Sequence, residues 1–285
     1  MKTLGIYWRL WITGGFKRLG GSFLAAFGFL WLLLEPASVF FPDKLQLGLP
    51  GYAALALASI LFAVVYSFPR RTISGKLSSP DTVVEIRVGD LFDQPGHKVI
   101  GTNDVFDTEL GEVIKPTSVQ GQFLTRIYSG DRAKLDADIA AALANYSTQR
   151  TEDHEKILGK RWRYPTGTTI SLGSPTSRYF LTAYGRMGKD LKCKSDADTL
   201  WQCLCQLWEE IRLKGQGTPV STPVFGSDLA RTGLPRMALI KLIILSFIGA
   251  SKREFVTKRL TVIHPDDLHC VNLHDLREFL KSSCF

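Results

Sequence analysis

The sequence predicts a three-layer α/β domain behind an N-terminal hairpin of two apolar helices, and three observations carry that expectation. Residues 19–68 hold only Glu35, Asp43 and Lys44 as charged residues, whereas residues 69–285 carry nearly all the other acids and bases, so one part suits lipid and the other water. Beyond residue 81, short β-branched runs alternate with helical patterns, as in a sheet covered by helices. Three loops after strand candidates concentrate Gly, Asn, Asp and aromatic residues, the composition of a ligand pocket.

The chain opens with Lys2, Tyr7, Trp8, Arg9, Trp11, Phe16, Lys17 and Arg18, so residues 1–19 read as a basic, aromatic segment at the headgroup level. Residues 20–68 read as two membrane-spanning helices. The first, Gly20 to Leu34, can extend back to Phe16 or on toward Phe41. Glu35, beside Pro36 and close to Pro42 and Asp43, marks its expected outer boundary. The second, Gly51 to Phe68, has no charge and is closed by Pro69, Arg70 and Arg71. No small-residue cleavage site follows the first run, which argues against a signal peptide. Basic residues flank both outer ends and only Lys44 stands between the spans, so both chain ends are expected in the cytoplasm of a bacterium, with the hairpin in its inner membrane.

Residues 69–81 read as a polar linker and 82–285 as a cytoplasmic domain. Strands are expected at Thr82–Val88, Lys98–Thr102, Thr168–Leu172, Tyr179–Tyr184 and Leu260–His264, the third and fourth as a hairpin around Ser174 and Pro175. Helices are expected at Arg132–Asn145, Asp196–Lys214 and Pro235–Gly249. The apolar part of the last is too short to span a bilayer and has Lys241 inside it, so it reads as a buried helix.

Composition narrows the function further. The net charge of +8 is scattered and partly flanks the apolar segments, which argues against nucleic-acid binding. Cys193, Cys203, Cys205, Cys270 and Cys284 form no C-x-x-C pair and read as reduced thiols. His264, His269, His274 and Cys270 match no zinc spacing, so no metal is expected. No Walker loop, H-E-x-x-H motif or Ser-His-Asp order is present.

The first pocket loop is Val88-Gly89-Asp90-Leu91-Phe92. The second is Val99-Ile100-Gly101-Thr102-Asn103-Asp104-Val105-Phe106-Asp107-Thr108, followed by Ser118-Val119-Gln120-Gly121-Gln122-Phe123. The third runs from Thr222 through Pro223, Phe225, Gly226, Ser227 and Asp228 to Pro235, a glycine-bearing turn before a helix, suited to presenting N–H groups to a diphosphate.

In order and spacing these loops resemble the macro domain over about residues 82–270. The Asn103–Thr108 and Ser118–Gln122 runs resemble more specifically the membrane-anchored macro-domain effectors of the Thoeris antiphage system. The resemblance implies a mixed sheet, an ADP-ribose-derived signal nucleotide such as histidine-ADP-ribose as ligand, and no further cofactor. It gives Asp90 the adenine amino group, and Asn103, Asp104 and Asp107 the distal ribose and its substituent. Gly226, Ser227, Leu229 and Ala230 would cradle the diphosphate, and Phe106, Phe123 and Phe225 would pack against base or ribose. Leu91, Gly121, Gln122, Pro223, Asp228 and Arg231 complete the expected ligand-binding set.

Two departures from the family pattern bear on activity. Ile100 and the Phe106–Glu112 stretch stand where hydrolytic macro domains have an additional Asn and a glycine-rich loop, so no catalytic residue is expected. Asp228 stands where a second glycine is usual, beside the expected anion. The implied function is a sensor linked to a TIR-family enzyme, self-associating in the lipid bilayer to disrupt it. The alternative is a membrane-tethered ADP-ribosyl hydrolase.

Overall fold

The computed structural model describes residues 15–41, 48–67, 72–226, 232–264 and 271–284. The expected interfacial segment therefore lies largely outside the described residues, as do residues 69–71 of the expected linker. The chain divides into an N-terminal helical unit and an α/β unit that begins at Thr72.

In the first unit, α1 spans Gly15–Phe40 and α2 spans Leu49–Tyr66. Both are long and apolar enough to cross a membrane. They form a hairpin in which Leu55, Ser59 and Ala63 are the buried residues of α2, one turn apart along one face. The Trp31 and Tyr52 rings stack at 5.6 Å, and Arg18 lies over the Tyr66 ring at 5.7 Å. The boundary expected at Glu35 is corrected, because α1 continues through Pro36 to Phe40. Trp31 donates its indole N–H to Glu35 at 2.7 Å, bonding the carboxylate along the helix one turn before its end.

The second unit is a three-layer α/β/α domain around a mixed sheet. Its main strands are β1 (Thr72–Leu77), β2 (Thr82–Val88), β3 (His97–Asn103), β6 (Thr169–Ser174), β7 (Ser177–Met187), β9 (Val220–Pro223) and β10 (Arg259–His264). They lie in the order β1-β2-β10-β9-β3-β7-β6, with the two-residue β8 (Cys193–Lys194) on β7. Neighbours from β2 through β7 run parallel, and β1 and β6 close the edges antiparallel. Thr151–Glu152 (β4) and Trp162–Arg163 (β5) pair as a separate small hairpin.

The helices form where caps and periodicity direct them. In α3 (Val119–Ile127), the Ser118 hydroxyl accepts from Gly121 N at 3.0 Å. Asp131 and Asp196 cap α4 (Arg132–Leu143) and α5 (Ala197–Lys214) in the same way. Pro235 precedes α6 (Arg236–Arg253), and α7 covers Leu273–Ser283. Phe123 and Leu124 of α3 and Leu135, Ile139 and Leu143 of α4 share a core with Ile100, Ile170 and Leu181 of the sheet. Trp208 of α5 packs edge-on against Phe247 of α6 at 5.3 Å.

The sequence expectation of a linker fails at Thr72–Leu77. This segment pairs with β2 over six positions and buries Ile73 and Leu77. Its Gly and Ser residues disguise a strand in which only alternate apolar residues need to face inward. Truncating the buried Leu77 to Ala is expected to cost about 2–5 kcal/mol. A fragment starting at Thr82 should accordingly melt well below one starting at Thr72; equal melting temperatures would show that the edge strand contributes nothing.

Candidate functional site

A cleft of about 1130 Å³ lies across the carboxyl ends of the central strands. At one side, Asp90 and Leu91 line it just after β2. Asp90 accepts from Phe92 N at 2.8 Å and pairs with Arg126 of α3. That guanidinium also meets Asp93 at 3.2 Å and lies 4.8 Å from the Phe92 ring centre. The bond that Arg126 donates to Asp90 leads in holding the guanidinium proton more tightly than usual. Gln94 donates to the Asp90 carbonyl at 2.8 Å and accepts from Arg87 at 3.1 Å, tying the loop back to the sheet.

Asn103, Gln122, Pro223, Phe225 and Gly226 also line the cleft. The Asn103 side chain is already committed: its oxygen accepts from Val105 N and Asp107 N, and its amide donates to Asp107 at 3.1 Å. It thereby shapes the turn after β3.

The remaining described members of the expected set do not line the cleft, and each has a structural reason. Asp104 is 4% exposed; it pairs with Arg163 at 2.6 Å and accepts from Met187 N at 2.9 Å. Asp107 is fully buried, pairs with Lys156 at 3.0 Å and accepts from Lys160 N at 2.6 Å. Phe106 adopts φ 51 and packs edge-on against Tyr164, and Phe123 packs against Tyr128 and Tyr179. Gly121 lets α3 press against the preceding turn, since a Cβ there would come within 2.4 Å of the Lys115 carbonyl. Ser227, Asp228, Leu229, Ala230 and Arg231 lie outside the described residues.

Those two ion pairs fasten the turn after β3 to the 151–163 loop. Burial disfavours the charge on Arg163, but bonds to Asp104 and Asp153 outweigh it and hold the guanidinium protonated. No motif marked Lys156 or Arg163, because a counter-ion from a distant loop leaves no local spacing.

Sequence reasoning also missed the wall formed by Tyr184, Met187, Leu191 and Cys193. Gly101 was the available signal. A glycine inside a buried strand marks close approach, and a Cβ there would come within 2.8 Å of both the Tyr184 and Phe225 rings. Burial pushes the Cys193 thiol up to about 12, so it stays protonated. Among the described residues, no three His, Cys, Asp or Glu side chains are grouped to hold a metal ion.

The comparisons agree with this architecture. The family model described as Thoeris protein ThsA, Macro domain, matches residues 84–264. A Thoeris protein ThsA from Bacillus amyloliquefaciens (strain Y2) is 26% identical over 207 residues, which cover 70% of this chain and 68% of that protein. A mutant of the Oceanobacillus iheyensis macrodomain with ADPR has a similar fold, with a TM-score of 0.51 at 14% identity, covering 74% of this chain and 99% of that one. The same macrodomain with ADP gives 0.50 at 16% identity, covering 75% and 100%. Since the match to residues 84–264 takes in more than half of the sequence and coincides with the sheet that carries the cleft, the chain belongs to the ThsA macro-domain family of Thoeris proteins.

Proposed function

We propose that the cleft binds an ADP-ribose-derived nucleotide and that the chain is a membrane-anchored effector of antiphage defence. The observation that carries this reading is a cleft across the carboxyl ends of parallel strands, where open α/β sheets bind nucleotides, in a chain of this family. Related folds solved with ADPR and ADP support the ligand class. In this reading a TIR-family enzyme supplies the signal, histidine-ADP-ribose being one candidate. The α1–α2 hairpin sits in the bacterial inner membrane with both chain ends cytoplasmic, and several copies act together to disrupt the bilayer. Asp90 takes the adenine amino group, and the segment from Gly226 through Asp228 and Arg231 takes the diphosphate.

Binding without turnover is the better-supported mode. Asp104 and Asp107, the carboxylates a hydrolase would use as base, are both held in buried ion pairs. Incubation with an ADP-ribosylated substrate followed by mass spectrometry checks this; released ADP-ribose would favour the hydrolase.

Calorimetry of the full chain in detergent against ADP-ribose and histidine-ADP-ribose is the direct test. Saturable binding is expected, and none to either would overturn the assignment. Asp90→Ala is expected to weaken binding by about 1–3 kcal/mol by removing a charge-assisted bond to the base. Because Asp90 is partly exposed, the melting temperature should change little. Unchanged affinity would remove Asp90 from the site.

A further inference from the structure

The hairpin of β4 and β5 has its side chains the wrong way round for a loop that meets only water. Its buried positions are charged: Lys156 is 1% and Arg163 8% exposed. Its outward positions hold large apolar side chains, Ile157 at 88% exposure, Leu158 at 41% and Trp162 at 40%. In water alone the opposite arrangement is favoured, because burying charge is costly and leaving apolar surface exposed forfeits the hydrophobic gain.

The hairpin is also firmly held. Asp153 N–H donates to the Arg161 carbonyl at 2.9 Å, and Arg163 pairs with both Asp153 and Asp104 at 2.6 Å. Gly159, at φ 78, closes the loop over the Lys156–Asp107 pair, where a Cβ would come within 2.3 Å of the Asp107 carboxylate. Ile157 and Leu158 are therefore presented by a fixed element.

The surrounding charges decide the partner. Arg150, Glu152, Glu155 and Arg161 are all exposed, with Arg150 4.0 Å over the Trp162 ring and Glu155 paired to Lys189 at 2.6 Å. Both signs on one small surface suit neither an anionic bilayer nor a nucleic acid, which attract cations alone. They suit a second copy of the same surface, turned about a twofold axis so that the acids of one copy face the bases of the other and the apolar side chains meet between them.

We propose that this hairpin is a self-association surface, through which two copies of the chain meet at Ile157, Leu158 and Trp162. So few side chains bury less than the roughly 1,200 Å² that a stable soluble complex needs. Chains anchored in one bilayer are held at high effective concentration, where a small contact suffices. The surface is also tied to the cleft: Asn103 lines it, and the Asn103 amide shares Asp107 with the Lys156 ammonium that fixes the hairpin. This link to a ligand rests on reading the cleft as an ADP-ribose site.

The test uses the full chain in phosphatidylcholine vesicles, with photoreactive p-benzoylphenylalanine placed at residue 157, with and without ADP-ribose. Mass spectrometry is expected to find residue 157 joined to residues 150–162 of a second copy, with a higher yield when ADP-ribose is present. Ile157→Glu should lower the dimer captured by an amine cross-linker about tenfold. Its melting temperature and ADP-ribose affinity should not change, because the side chain is already exposed and lies outside the cleft. Ile157→Leu should keep the full dimer yield. Cross-links to lipid alone or to other parts of the second chain, or an undiminished dimer in Ile157→Glu, would overturn the proposal, and saturable ADP-ribose binding beside that result would leave the reading of the cleft intact. A chain that binds no ADP-ribose yet still joins copies through residue 157 would keep the surface and remove the ligand reading.

Discussion

Lys156→Ala is expected to destabilise the α/β unit by about 3–5 kcal/mol, the usual cost of leaving one member of a buried ion pair behind. The Lys156 side chain is 1% exposed and Asp107 is fully buried. The ammonium bonds both Asp107 carboxylate oxygens, at 3.3 and 3.0 Å, and the Leu158 carbonyl at 2.7 Å, so all three of its donors are satisfied. Without it, Asp107 keeps only the Asn103 amide and the Lys160 N–H in a site closed to water. For a unit of this size, that loss corresponds to a fall of roughly 6–20 °C in melting temperature.

Lys160→Ala is the control. Its ion pair with Asp136 is about one-third exposed on both sides, and its loss should cost less than about 1 kcal/mol. The effect of Lys156→Ala should also reach the cleft, because Asn103 is oriented by the same carboxylate. Thermal melts within a degree or two of each other for the two variants would show that the buried pair contributes little.

The fold was legible wherever local chemistry decides it. Asp196 caps the helix that the sequence opens there, and Pro235 precedes the helix expected from it. The hairpin expected around Ser174 and Pro175 forms between β6 and β7. The strand at Thr72–Leu77 was not legible, because its stability comes from register with β2 rather than from its own propensity. The short strand β9 was missed for a similar reason: Val220–Pro223 is too brief to show alternation, and its place comes from neighbours β10 and β3.

The candidate site divides along the same line. Asp90 and Asn103 directly follow strands expected from the sequence, so strand prediction alone carries them to the cleft, whereas Phe225 and Gly226 were marked by the glycine-bearing turn before a helix. Asp104 and Asp107 share the motif with Asn103 yet turn inward, because their counter-ions arrive from residues 156 and 163, some fifty positions later. A single motif therefore combined residues that face the cleft with residues that anchor the turn behind it. Only the long-range contacts separate the two kinds.

Exchanging small residues on the outer faces of the hairpin for leucine should separate sensing from output. A ligand shifts the membrane segments only if it binds one arrangement of the protein better than another. Two helices alone cannot enclose a pathway, so in the proposed mechanism several copies must meet. Inside one hairpin, Leu55, Ser59 and Ala63 form the buried face of α2, whereas Ala54, Ala58, Gly21 and Ala25 are exposed. Small residues four apart on an exposed face let helices of different copies approach closely, and a loss of about 1–2 kcal/mol there is a factor of about 5–30 in association. Ala54→Leu with Ala58→Leu should thus weaken association about 5–30-fold and sharply reduce ligand-dependent toxicity while leaving nucleotide affinity unchanged. Cross-linking in detergent with and without ADP-ribose provides the direct readout, with ligand expected to increase the larger species in the unsubstituted chain only. Full toxicity in the double variant would place the meeting face elsewhere, and loss of nucleotide binding would show that the helices are not a separable output.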